Sequence, residues 1–130
     1  MDEMPGETLL YEKDAFVIRG AIFDVYRAMG AGFLEAVYHE CLEIELERRD
    51  IPFETRKPLA LAYLGKPLRQ IYIADLICHG RILIELKAVR ALAPEHRAQT
   101  LNYLRATGLR LGLLVNFGAT PKAQIERVLL

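Results

Sequence analysis

The stretch RILIELKAV, residues 81–89, sets Glu85 and Lys87 among Ile82, Leu83, Ile84, Leu86, Ala88 and Val89. A run this rich in β-branched and aliphatic residues reads as a buried strand, where an unpaired charge costs several kcal/mol. Side chains alternate faces along a strand, so Glu85 and Lys87 share one face. The preceding apolar stretch, IYIADLI, carries Asp75. Two carboxylates with a lysine beside them suit a hard divalent cation. Mg²⁺ takes oxygen ligands, keeps several waters, and is held by one or two protein carboxylates plus substrate phosphate. Such an ion polarises a phosphoryl oxygen and lowers the pKa of a water, while a nearby lysine orients that water or neutralises developing charge. The competing reading is a buried acid–lysine pair that merely satisfies itself.

Whether Asp75 meets Glu85 depends on the turn between their strands. A two-residue loop at His79-Gly80 pairs Asp75 with Ile84 and puts it on the face opposite Glu85. A three-residue loop, Cys78-His79-Gly80 with Gly80 at positive φ, pairs Asp75 with Leu83 and makes Asp75 and Glu85 diagonal neighbours on one face. The second register, or an equivalent bulge, is the expectation, because it brings both acids and the lysine together.

The elements that must position these groups follow from periodicity and breakers. Val17, Ile18, Ala21, Ile22, Val25, Tyr26 and Met29 recur at helical spacing over residues 14–29. Gly30-Ala31-Gly32 interrupts, and a second helix is expected over 33–49 with Leu34, Val37, Cys41, Ile44 and Leu46 inward; Asp50-Ile51-Pro52 ends it. Strands are expected over 53–63, 68–78 and 81–89, with a turn at Leu64-Gly65-Lys66-Pro67. Pro94 and Glu95 open a helix that runs to Thr107 and stops at Gly108. Residues 109–117 form a further strand, and 123–130 a strand or helix. A meander followed by a crossover helix gives a mixed α/β sheet whose last crossover is right-handed. Gly30-x-Gly32 follows a helix and lacks the third glycine of a dinucleotide fingerprint, so it is a helix break.

At 130 residues the chain is one domain by size, able to bury ~65–70% of its unfolded surface. With 52% hydrophobic and 26% charged residues it has the composition of a folded globular protein rather than a disordered one. Residues 1–12 carry no element signal and are expected to be poorly ordered. The opening Met-Asp-Glu-Met lacks the apolar core of a secretory signal, and no apolar run reaches the ~20 residues of a membrane span. Cys41 and Cys78 have neither metal nor disulfide-framework spacing. A cytoplasmic protein without membrane contact is therefore expected. The formal charge is zero, but residues 1–50 hold 12 acids and 5 bases, and residues 51–130 hold 5 acids and 12 bases. The basic second part suits a phosphate-binding face; the acidic first helices suit a protein partner or a second copy of the chain.

IADLICHGRILIELKAV resembles the signature of the PD-(D/E)XK nuclease superfamily, with Asp75 followed by Glu85-Leu86-Lys87 as E-x-K on successive strands. Ala74 stands where the signature has proline. GFLEAVY, Gly32 to Tyr38, resembles the G-x-x-E-x-x-Y motif of a family of small proteins similar to that superfamily. AQTLNYL resembles the Q-x-x-x-Y motif of its lambda-exonuclease-type branch, with Gln99 and Tyr103. The element order also resembles the αβββαβ core of restriction-endonuclease-like folds, here with an extra N-terminal helix.

The resemblance implies a nuclease that uses Mg²⁺ or Mn²⁺ to hydrolyse nucleic acid, with DNA the favoured substrate. It implies Asp75, Glu85 and the Leu86 carbonyl as metal ligands, Glu35 near the metal directly or through water, and Lys87 as the catalytic lysine. Gln99 and Tyr103, at i and i+4 on one helix face, would border the active site or hold substrate phosphate. Tyr38 of the motif, and His96 and Arg97 in the first turn of their helix, are further candidates for substrate contact. The alternative is a module that keeps the fold and binds nucleic acid or protein without catalysis.

Overall fold

The structure is a computed structural model and describes residues 10–130. Residues 1–9, and with them most of the expectation for 1–12 and the reading of the first four residues, lie outside the described residues. Two helices, α1 (Glu12–Met29) and α2 (Glu35–Arg48), precede a long hairpin, β1 (Phe53–Tyr63) and β2 (Lys66–Cys78). Strand β3 (Ile82–Lys87), helix α3 (Pro94–Thr107) and strands β4 (Leu111–Asn116) and β5 (Gln124–Leu129) follow. The final element is a strand.

The five strands form one mixed sheet in chain order. Among the described residues the only parallel pair is β3 with β4, joined through α3, and it runs from Ile82 opposite Leu111 to Lys87 opposite Asn116. No helix in the described residues is long and apolar enough to cross a membrane.

Alternation along β3 divides the core into two layers. Ile82, Ile84 and Leu86 pack with Ile18 and Ile22 of α1 and Tyr38, Leu42 and Leu46 of α2. Leu83, on the other face, packs with Leu104 of α3, Leu114 and Tyr72. Burying side chains of this size contributes about 1.5–3 kcal/mol each.

Of the stripe expected in α2, Leu46 is buried, but Leu34, Val37, Cys41 and Ile44 give way to Tyr38, His39 and Leu42. Leu34 and Ile44 are exposed. Tyr38 decides the rotation: its ring stacks on Phe117, and its hydroxyl donates to Gly30 O and accepts from Phe33 N–H.

In the hairpin, alternation breaks at one rung of both strands. Tyr72 and Ala74 join the α3-side core, whereas Leu76 and Cys78 join the α1/α2-side core. Arg56 is left-handed, at φ 49°, and the flanking pairs Thr55–Leu76 and Lys57–Ala74 set it opposite Asp75. The strands change phase together, so their register survives at this rung and shifts only farther out, between Ala60 and Ala62.

Candidate active site

The β2–β3 turn differs from expectation in detail. His79 and Gly80 are both left-handed, at φ 55° and 68°, and Arg81 N–H closes a tight reversal onto Cys78 O at 3.0 Å. Arg81 is then the extra residue, and Cys78 faces Ile82. The loop has three residues, but they are His79-Gly80-Arg81, so the register is two residues from the one expected. Continuing from the last pair, Leu76 with Ile84, Asp75 lies directly across from Glu85 rather than diagonal to it.

At that rung side chains take over the bonding. Asp75 Oδ2 accepts Leu86 N–H at 2.8 Å, and Asp75 N–H donates to Glu85 Oε2 at 3.3 Å. The Tyr72 hydroxyl also donates to Glu85 Oε2. Tyr72 in turn stacks on Tyr103 of α3, ring centres 3.4 Å apart.

Asp75, Glu85, Lys87, Glu35, Gln99 and Tyr103 line one cleft of about 420 Å³, together with Tyr72 and apolar residues of the hairpin. Somewhat larger hollows lie around Tyr11–Asp14 and the β2–β3 turn, but neither gathers a comparable set of groups.

Electrostatics marks the cleft as crowded with like charge. Burial, and then the nearby Asp75 carboxylate, push the Glu85 carboxyl up to about 7, against the opposing bonds from Tyr72 and Asp75 N–H and the charge of Lys87. Burial, and then Asp75, also raise the Glu35 carboxyl. The Tyr103 phenol is raised by burial and by the charges of Glu85 and Asp75.

The donor set fits a hard cation. Both inner groups are carboxylates, and Asp75 Oδ1 and Glu85 Oε1 receive no hydrogen bond from the described residues. A cation between them would relieve the repulsion that raises Glu85. The described residues offer no ready cluster of three His, Cys, Asp or Glu side chains for a metal. Two protein carboxylates with water and phosphate are, however, the usual Mg²⁺ arrangement. Glu35 lines the cleft from the exposed first turn of α2 without completing a three-carboxylate cage.

Three expected substrate contacts are placed elsewhere. Tyr38 is fully buried in the core, fastened as described to the α1–α2 connection. His96 Nδ1 accepts Ala93 N–H at 2.9 Å and so caps the start of α3. Arg97 pairs with Glu126 of β5. The Leu86 side chain belongs to the core, and its N–H is the one Asp75 takes.

Two residues at the site were not anticipated. Tyr72 reaches Glu85 only because alternation breaks at Asp75, which regular spacing cannot reveal. Asn116, buried opposite Lys87, accepts Val89 N–H at 2.9 Å and Gly118 N–H at 3.0 Å, while Phe117 N–H binds Lys87 O at 2.9 Å. The exit of β3 is thereby tied to the end of β4. A Cβ on Gly118 would lie 2.2 Å from Val89 O, so only glycine permits this approach.

A family model of the PD-(D/E)XK nuclease superfamily matches residues 12–128. The chain belongs to this superfamily. Its mixed sheet flanked by helices is the restriction-endonuclease-like fold. Among solved structures it is similar to that of SSO0001, with a TM-score of 0.56 and 22% identity over 72% of this chain. At that identity the likeness concerns the fold. The match covers 48% of SSO0001, so this superfamily member spans about half the length of that protein. No curated protein matches the chain.

Proposed function

We propose that this superfamily member is a metal-dependent nuclease that hydrolyses phosphodiester bonds, with DNA as substrate. The observation that carries the reading is the convergence of Asp75, Glu85 and Lys87 in one cleft, with one oxygen of each carboxylate left open. Mg²⁺ or Mn²⁺ held by Asp75 and Glu85 would supply Lewis acidity to a phosphoryl oxygen and a water of lowered pKa.

The chain's own groups have separable tasks. Asp75 N–H and the Tyr72 hydroxyl both hold Glu85 Oε2, which fixes the carboxylate and leaves Oε1 without a hydrogen bond from the described residues. Tyr103, stacked on Tyr72, keeps that phenol in place. The Lys87 ammonium offers positive charge to a phosphate or orients a water, and Gln99 offers an amide to the same phosphate. Glu35, which lines the same cleft, would help hold the ion directly or through water. Gly32, Glu35 and Tyr38 support the finer placement in the G-x-x-E-x-x-Y family, where Tyr38 acts in folding rather than in substrate contact.

The test is cleavage of supercoiled, linear duplex and single-stranded DNA with Mg²⁺ or Mn²⁺ by wild type and Lys87→Ala, with a thermal-shift titration of Mn²⁺. Cleavage that requires the ion and Lys87 is expected. No cleavage of any substrate, together with no Mn²⁺-dependent shift, overturns the reading.

A further inference from the structure

The β1–β2 hairpin outruns the sheet that carries it. Strand β2 pairs with β3 only from Leu76 to Cys78, so among the described residues Lys66 to Ala74 have no strand beside them on that edge. At ~3.3 Å per residue this makes a two-stranded ribbon on the order of 30 Å long. Its base rests on α3 through Leu59, Leu61 and Tyr72, and its tip turns tightly at Leu64 and Gly65, both left-handed. An isolated two-stranded ribbon gains little stability of its own. Its outer part, from Lys66 to Ile71, is exposed throughout, and a two-stranded projection of about 20 Å invites a functional reading.

Its chemistry is one-sided. Between Glu54 and Asp75 the chain has four bases and no acid. Lys57 is engaged by Glu54, but Arg56, Lys66 and Arg69 make no ion pair among the described residues. Apolar side chains are exposed beside them, including Tyr63, Leu64, Ile71 and Ile73. The ribbon also begins at the lip of the candidate active site, where Ile71, Tyr72 and Ile73 line the cleft.

We propose that this ribbon is a duplex-DNA-binding arm that lies in the major groove and leads the phosphate backbone into the cleft. The B-form major groove, ≈12 Å wide, admits a two-stranded ribbon, whereas the deep, narrow major groove of A-form RNA does not. The cations match the phosphates, and the exposed apolar side chains suit the groove floor with its thymine methyl groups. The inference rests on the nuclease reading for the direction in which the duplex is led, but its binding claim is tested separately.

Binding is measured by fluorescence anisotropy of a labelled DNA duplex in EDTA, where no cleavage occurs, against Lys66→Glu/Arg69→Glu. The expected result is an affinity loss of about tenfold or more, with the slope of log K against log salt reduced by about 2, one for each lost phosphate contact. Unchanged affinity and slope in a folded variant overturn the proposal. So does tighter wild-type binding to an RNA duplex or a single strand than to duplex DNA. Sedimentation with Ile71→Ser/Ile73→Ser gives an independent check: conversion of a dimer to a monomer would make a second copy the occupant and also overturn it. Arm-dependent duplex binding without cleavage under Mg²⁺ or Mn²⁺ would leave the arm standing and remove the nuclease reading. Cleavage with arm-independent binding would do the reverse.

Discussion

The two sides of this molecule treat charge in opposite ways. In the helical layer of α1 and α2 the arginines are spoken for: Arg19 by Glu12, Arg27 by Asp24, Arg48 by Glu45, and Arg49 by both Asp24 and Glu45. Arg49 hydrogen-bonds Glu45 and holds that carboxyl below the usual carboxylate range. Across the sheet, burial and then the adjacent Asp75 carboxylate raise Glu85 to about 7, and Arg56, Lys66 and Arg69 along the neighbouring ribbon make no ion pair among the described residues. Charge that is neutralised internally stabilises the fold. Charge held at a cost, or left unmatched, points to a ligand of the complementary sign. The division between an acidic first part and a basic second part of the sequence is therefore a division of roles.

Substitutions can break or sharpen this contrast. The largest effect is expected from Lys87→Ala, which should lower cleavage by about 10²–10⁴-fold while leaving the melting temperature close to wild type. An equal loss of stability would mean that the lysine is structural and the contrast false.

Next comes Glu85→Gln. A carboxyl raised from 4.5 to about 7 on folding is protonated more readily in the folded chain. Its ionisation therefore destabilises the fold, and stability falls as pH rises from near 4.5 through about 7. Removing that ionisation should stabilise the metal-free protein at pH 8 by about 3 kcal/mol and flatten the pH dependence of chemical denaturation. Saturating Mn²⁺ should flatten the wild-type curve as well. A variant that keeps the full slope would remove Glu85 as its source.

A smaller loss, about 1–2 kcal/mol, is expected for Asn116→Ala, which strands the part-buried N–H groups of Val89 and Gly118. Because Asn116 sits beside Lys87 in the sheet, the turnover rate should fall too, with substrate affinity nearly unchanged. The smallest effect belongs to the helical layer. Arg49→Ala should lower the melting temperature by a few degrees and leave cleavage untouched.

Much of the architecture was legible because the local signals agree with one another. Pro94 and Gly108 bracket α3, and the period of two in β3 sets Glu85 and Lys87 on one face without reference to any neighbour. What escaped depends on other parts of the chain. The turn was expected to take Cys78 as a loop residue, but two consecutive left-handed residues close it at His79-Gly80 and release Arg81 instead. Tyr72 lies three residues before Asp75, which regular alternation would place on the wrong face. Only the paired irregularity with Arg56, on the neighbouring strand, brings its hydroxyl to Glu85. In α2 two apolar stripes compete, and a stacking partner near the far end of the chain, Phe117, selects the one with Tyr38. A pattern within one element is visible from its residues; the choice between two patterns is made by partners distant in sequence.

The bond from Leu86 N–H to Asp75 Oδ2 has a practical consequence for preparing inactive protein. Replacing Asp75 by alanine deletes a charge and also unfastens a strand, so an inert variant of that kind would mix lost chemistry with a loosened β2–β3 junction. Asparagine keeps a carbonyl oxygen to accept the same N–H, and Lys87→Ala leaves the junction alone. For trapping an uncut duplex in a crystal, the informative pair is Asp75→Asn and Lys87→Ala, and agreement between them would separate the reaction from the scaffold.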